Sequence, residues 1–174
     1  MVRFFSTVVF LITCLFSPSI AATVALTDTF APPKGEVVLT VTGSITVANS
    51  PDGLALDLAQ FEALPQHSFT TSTIWTEGKS TFQGVLLKDL IAAVGATVSS
   101  ANMTALDDYV ISMPTADVND DGPMLAYLID GKPMSVRDKG PIWLLYPYDE
   151  NADYRTKESY SRSIWQLVRV EFVK

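Results

Sequence analysis

Residues Trp75–Gly95 read WTEGKSTFQGVLLKDLIAAVG. Glu77-Gly78-Lys79 is a turn signal, because glycine takes backbone conformations that other residues resist. Phe82-Gln83-Gly84 then leads into a helix predicted over Val85 to Val94. Val85, Leu86, Leu90 and Val94 fall on one face, and Gly95 can supply the left-handed residue that ends a helix. Just before the stretch, Phe69–Trp75 (FTTSTIW) is rich in β-branched and aromatic residues and predicts a strand. One short helix behind a strand, with little other helical periodicity, points to a strand-dominated domain.

Working upstream, Glu36–Thr46 (EVVLTVTGSIT) alternates and predicts a strand, a turn at Gly43-Ser44 and a second short strand. Ser50-Pro51-Asp52-Gly53 is a turn with cap candidates. Leu54, Leu58, Phe61 and Leu64 recur at helical spacing up to Pro65, which predicts a helix. The sole histidine, His67, has no neighbours at metal-ligand spacing and reads as structural. Residues 22–35 are polar and contain Pro32-Pro33, the composition of a leader or linker. Residues 1–21 have the pattern of a signal peptide: Arg3, an apolar run Phe4–Phe16, and small residues for cleavage after Ala21 or Ala22. That run is shorter than a membrane span. The chain is therefore expected to be exported and soluble, with one domain over residues 36–174.

Export would remove the single cysteine, Cys14, leaving neither disulfide nor thiolate. A formal net charge of −7 disfavours nucleic acid and anionic membrane surfaces as partners.

Downstream, Met103–Leu106 and Tyr109–Met113 predict an antiparallel pair turning at Asp107-Asp108. Met124–Ile129 predicts a strand that turns at Asp130-Gly131. Ile142–Tyr146 and Trp165–Val173 predict two more. Between these last two lies an aperiodic loop of about fifteen residues holding Tyr148, Tyr154, Arg155, Tyr160 and Arg162. Loops of that length inside a domain are uncommon and usually functional. Flat rings and guanidinium groups suit a planar, polar heterocycle. Asp117–Gly122 (DVNDDG) matches the first half of a calcium loop, but Leu128 stands where the bidentate glutamate is needed, so it reads as a turn. No nucleophilic triad and no phosphate-cradling glycine loop can be assembled. The fold class expected is α+β, strand-rich, with a sandwich or barrel-like core.

The ordered set Trp75, Phe82-Gln83-Gly84-Val85-Leu86-Leu87, Leu90 and Gly95-Ala96 continues through Tyr109, Pro114, Asp117 and Asp130-Gly131-Lys132-Pro133-Met134. Gly140-Pro141, Tyr146-Pro147 and Ser161–Trp165 complete it. This resembles the molybdopterin-binding domain of the sulfite oxidase fold, which implies strand-rich mixed sheets with a few short helices. Three departures stand out. Molybdenum enzymes of that family ligate the metal through a cysteine a few residues before the equivalent of Trp75, and here the chain has Thr70-Thr71-Ser72-Thr73. Neutral hydroxyls cannot replace a soft anionic sulfur. The chain is also much shorter than those enzymes, and Ile164 stands where relatives often carry lysine.

The sequence is also similar to the short periplasmic PruR-type pterin-binding proteins, cysteine-free relatives that report pterins to membrane enzymes of cyclic-di-GMP metabolism. That resemblance implies a dihydro- or tetrahydropterin ligand, no molybdenum and a periplasmic location. It further implies a sensor or adaptor role toward the periplasmic domain of a membrane diguanylate cyclase or phosphodiesterase, and hence a link to biofilm control. The alternative is a molybdopterin- or pterin-dependent oxidoreductase. The expected ligand-binding residues are Trp75, Asp117, Tyr148, Arg155, Ser161, Arg162, Ser163 and Trp165. Trp75 reads equally as a core anchor and as a stacking platform. A carboxylate is expected to accept from the amino-pyrimidinone edge of the pterin; Asp117, Asp149 and Glu77 remain open for that role.

Overall fold

The computed structural model describes residues 30–174, and the expected signal peptide lies outside the described residues. Two five-stranded sheets pack together. The first has the order β2-β1-β10-β5-β6, built from β1 (Val37–Gly43), β2 (Leu54–Asp57), β5 (Ser100–Ala105), β6 (Val110–Pro114) and β10 (Leu167–Val173). Its β1 and β10 run parallel, and its other pairings are antiparallel. The second joins β3 (His67–Ser72), β4 (Lys79–Leu86) and β7 (Met124–Ile129). Both β8 (Lys132–Pro133) and β9 (Trp143–Leu145) pair with β7.

Strand alternation assigns each side chain to one of two apolar layers. Leu39, Val41, Met103, Val170 and Phe172 of the first sheet meet Val85, Leu125, Tyr127 and Leu144 of the second in the inner core. The intervening residues of the second sheet, Phe82, Met124, Ala126, Trp143 and Leu145, point the other way. They are covered by Tyr146, Tyr148 and Tyr154 from the segment after β9. The second sheet is thus buried on both faces, which is why MLAYLI and WLLY are continuous apolar runs rather than alternating ones. The roof over its outer face is the segment that the sequence marks as an aperiodic loop.

Three local expectations are corrected. The helix expected from Leu54 to Leu64 is a strand followed by α1 (Leu58–Glu62). Leu54 and Leu56 both enter the core at a spacing of two, while Leu58 is exposed. Asp57 then starts the helix by a capping box with Gln60, accepting its N–H at 2.9 Å. The same carboxylate accepts from the N–H groups of Lys34 and Gly35, so the described end of the expected linker is pinned to the domain.

The helix expected from Val85 is α2 (Leu87–Ala93), because Val85 and Leu86 are held in β4 by pairing with Leu125 and Met124. Gly84 sits at an irregularity in this pairing, and a Cβ there would lie 2.0 Å from the Leu125 carbonyl oxygen. As expected, Gly95 follows α2 with a positive φ of 61°. Finally, the long loop contains a 3-10 turn (Ala152–Tyr154) and α3 (Lys157–Arg162), capped by the Thr156 hydroxyl accepting from the Ser159 N–H. A helix of six residues is too short to show periodicity.

Candidate functional site

The hydroxyl-rich run at the end of β3 folds back on itself. Beyond Ser72 the strand stops, and Thr73 Oγ1 accepts from the backbone N–H of Trp75 at 3.1 Å while lying 2.8 Å from Thr76 Oγ1. This local turn presents the Trp75 indole, off the strand, to three other rings. Trp143, Tyr160 and Trp165 each meet it edge to face, with centroids 5.7, 5.8 and 5.9 Å away. Lys139 places its Nζ 4.8 Å from the Trp165 ring and 5.3 Å from that of Trp143.

Against these rings opens a cleft of about 360 Å³, within the usual size of a small-molecule site. Its lining takes Trp75, Tyr160 and Trp165 from the ring cluster and Ala105, Asp107 and Tyr109 from the β5–β6 hairpin. Ser161, Ser163 and Ile164 complete the lining. Trp165 is not in the final strand as expected. It precedes the corner at Gln166, whose φ is 52°, and β10 begins at Leu167.

Arg162 faces away, into a second groove with Asp117, Asn119, Tyr146 and Tyr154. Its guanidinium donates to Asp117 Oδ2 at 2.8 Å and to the Glu158 carboxylate one helical turn earlier. Burial pushes the Tyr146 phenol beneath it up to about 12, with Arg162 partly opposing the shift.

Tyr148 lies under both regions, buried, its ring 5.0 Å from that of Tyr160 and 6.1 Å from that of Tyr146. Ser163 Oγ uses its proton on the Ser159 carbonyl at 2.7 Å, so the Tyr148 hydroxyl is the donor in its short hydrogen bond to Ser163. Burial raises the Tyr148 phenol well above its ordinary range. Trp143 Nε1 donates to the Ser163 carbonyl at 3.1 Å, which completes the bracing of the α3 C-terminus.

Arg155 donates from Nε to the Tyr148 carbonyl at 2.6 Å and approaches Asp149 at 3.5 Å. Asp149 in turn accepts from the Ser72 N–H (2.9 Å) and Ser72 hydroxyl (2.8 Å) and pairs with Lys79 (3.1 Å). The Ser72 N–H, the Ser72 hydroxyl and Lys79 hold its carboxyl down at about 2. The Thr71 hydroxyl accepts from the Asp149 N–H at 3.0 Å, so this latch ties the roof to the end of β3.

Of the eight expected residues, Trp75, Ser161, Ser163 and Trp165 line one cleft. Asp117 and Arg162 sit together in the neighbouring groove. Tyr148 supports both regions, and Arg155 braces the roof. Asp107 in the lining and Lys139 beside it over the Trp165 ring are residues that the sequence does not single out, whereas Tyr160 is one of the loop rings it does. Asp107-Asp108 is legible as a hairpin turn, but only the pairing of β5 with β10 brings that turn beside Trp165.

The chain belongs to the family described as the oxidoreductase molybdopterin binding domain, whose pattern matches residues 38–150. A search of curated protein sequences found no match. Among solved structures, the sulfane dehydrogenase SoxCD from Paracoccus pantotrophus matches with a TM-score of 0.59 at 16% identity. The match covers 83% of this chain and 40% of that one. The fold is thus the strand-rich, sulfite oxidase-type molybdopterin-binding fold with few short helices, and this chain spans well under half of that relative.

The two halves of the family's cofactor fare differently here. Aromatic walls with hydroxyl and carboxylate groups fit a flat heterocycle. A thiolate-held metal does not fit. Residues 30–174 contain no cysteine, and among them no three His, Cys, Asp or Glu side chains converge as a metal site. Thr71 and Ser72, within the run that the resemblance sets in place of the ligating cysteine, have their hydroxyls engaged by the Asp149 latch.

Proposed function

We propose that this chain is an exported, periplasmic pterin-binding protein that holds a dihydro- or tetrahydropterin without molybdenum. In this reading it acts as a ligand-dependent adaptor for the periplasmic domain of a membrane diguanylate cyclase or phosphodiesterase. The observation that carries the proposal is the Trp75 cleft: rings from three separate segments around a heterocycle-sized space, in a domain of the molybdopterin-binding family with no cysteine among the described residues. The rings would stack on the pterin, and Ser161 and Tyr109 would meet its polar edges.

An adaptor must present different surfaces with and without ligand, and only a ligand with differential affinity for the two can shift them. The neighbourhood of the cleft suits that role. Ile74, Leu106, Tyr109, Val110 and Trp165, all exposed, are either lining residues of the cleft or their immediate chain neighbours. A partner covering this apolar rim would contact whatever the cleft holds. Among the described residues no helix is long and apolar enough to cross a membrane, and the membrane enzyme supplies the anchored half of the pair.

Two measurements test the proposal together. Protein from a host that makes molybdenum cofactor is expected to contain no stoichiometric molybdenum. Pull-downs with the partner's periplasmic domain are expected to differ between pterin-loaded and pterin-free protein. Stoichiometric molybdenum with substrate-dependent turnover, or equal capture in both states together with substrate-dependent pterin oxidation, would replace the adaptor with an oxidoreductase.

A further inference from the structure

Among the residues that line the Trp75 cleft, Asp107 is the one with an acidic side chain. Asp107 sits at the exposed tip of the β5–β6 hairpin and lines the same cleft as Trp75 and Tyr160. Its Oδ1 accepts from the Tyr109 N–H at 3.1 Å, and among the described residues Oδ2 has no partner. The other carboxylates weighed for reading a ligand edge are committed elsewhere or absent from the lining. Asp149 is held by Ser72, Lys79 and Arg155, Asp117 is paired with Arg162, and Glu77 is not part of the cleft. Lys139 lies over the Trp165 and Trp143 rings and is not in the lining either.

We infer that Asp107 is the specificity-determining residue of the cleft, accepting two adjacent N–H donors from the edge of a flat heterocycle held by the aromatic walls. This rests on the pterin reading of the same cleft. A carboxylate has acceptor capacity for two parallel hydrogen bonds even with one oxygen already bonded to the backbone. A 2-amino-4-oxopyrimidine edge offers a ring N–H beside an amino N–H, which matches. Replacing the amino group with a carbonyl sets an acceptor against an acceptor, and such a mismatch at a charged group is strongly disfavoured. Asp107 therefore selects an amino-pyrimidinone over a pyrimidinedione of the same size and stacking surface.

The experiment compares pterin with lumazine, its 2-oxo counterpart, by calorimetry on the wild type and three variants. The wild type is expected to bind pterin about tenfold or more tighter than lumazine, a factor corresponding to about 1.4 kcal/mol. Asp107→Asn keeps the side-chain oxygen that accepts from Tyr109 and so preserves the turn, but presents an N–H donor to the ligand. Its pterin-to-lumazine ratio is expected to fall to about one. Asp108→Asn removes the same charge one residue away, at a φ of 64° that asparagine tolerates, and is expected to leave the ratio unchanged. Trp75→Ala is expected to weaken both ligands alike. A ratio that survives in Asp107→Asn while pterin still binds would overturn the role of Asp107 and leave the cleft standing. A folded wild type that binds neither compound would overturn both.

Discussion

Helix α3 has two sides, and they differ in whether their charged groups are already paired. On one side Tyr160 and Ser161 face the Trp75 cleft, where aromatic surface is open and one carboxylate oxygen is free among the described residues. On the other, Arg162 lies in a groove of similar size, but its guanidinium is already bonded to Asp117 and Glu158. The first region offers unsatisfied recognition, and the second has its charges paired within the chain. An arginine in a long loop points to a ligand only when no carboxylate of the same chain has claimed it. An open ring face has no such internal competitor, so it is the better marker here.

Breaking the element that both sides share should have the largest effect. Tyr148 is 2% exposed and touches Tyr160 toward the cleft and Tyr146 toward the groove, so Tyr148→Ala undermines both. Truncating a buried ring of this size costs about 3–5 kcal/mol, and urea denaturation is expected to show a loss of that order.

Next in size is the contrast between the two flanks. Trp75→Ala removes one wall and is expected to weaken pterin binding by about 1 kcal/mol, roughly fivefold, and to lose the stability of its three ring contacts, less than Tyr148→Ala loses. Arg162→Ala is expected to spare binding: less than about twofold in affinity, with a stability loss of up to about 1 kcal/mol, because its two carboxylate partners are exposed. Calorimetry and thermal melts on the same pair of variants measure both quantities. Equal affinity losses would mean that the ligand reaches across α3.

The smallest effect concerns the latch that holds the roof to β3. The Asp149 carboxyl is depressed to about 2 in the folded state, so its stabilising contribution is present above its ordinary value of about 3.9. That contribution is lost as pH falls through about 2. Asp149→Asn should flatten this acid limb of a melting-temperature profile while leaving the neutral-pH cleft able to bind pterin.

Much of the architecture can be read from the residues, and the exceptions have physical causes. Strands with clear alternation or long apolar runs, such as Val37–Gly43 and Met124–Ile129, stand where their patterns put them. Leu54–Leu64 misleads because Leu54 and Leu58 fit a helical spacing as well as Leu54 and Leu56 fit a strand, and only the capping box at Asp57 separates the two. Helix α3 is held by its Thr156 cap, the Tyr148–Ser163 hydrogen bond and the Trp143–Ser163 bond. The last two partners lie fifteen and twenty residues apart in the chain, beyond any local pattern. Half of the expected site residues share the cleft, since the ordered family motif carries them there. Asp107 escapes a reading of the residues because its chemistry depends on what the β5–β6 tip faces, which is set by sheet order alone.

That sheet order also governs when the molecule can fold. In the first sheet β10, last in chain order, lies in the middle, parallel to β1 and antiparallel to β5. Until residues 167–173 are available, β2-β1 and β5-β6 are two separate hairpins with no partner between them, and isolated hairpins are marginal in water. Closing the sheet joins residues near 40 to residues near 170, a loop almost as long as the described chain, so its entropic cost falls at the end of assembly. The growing polypeptide must therefore carry its inner apolar layer half-covered until the final strand slots in. Its window of exposure to aggregation and proteolysis is set by the time taken to make and dock residues 167–173 rather than by local structure.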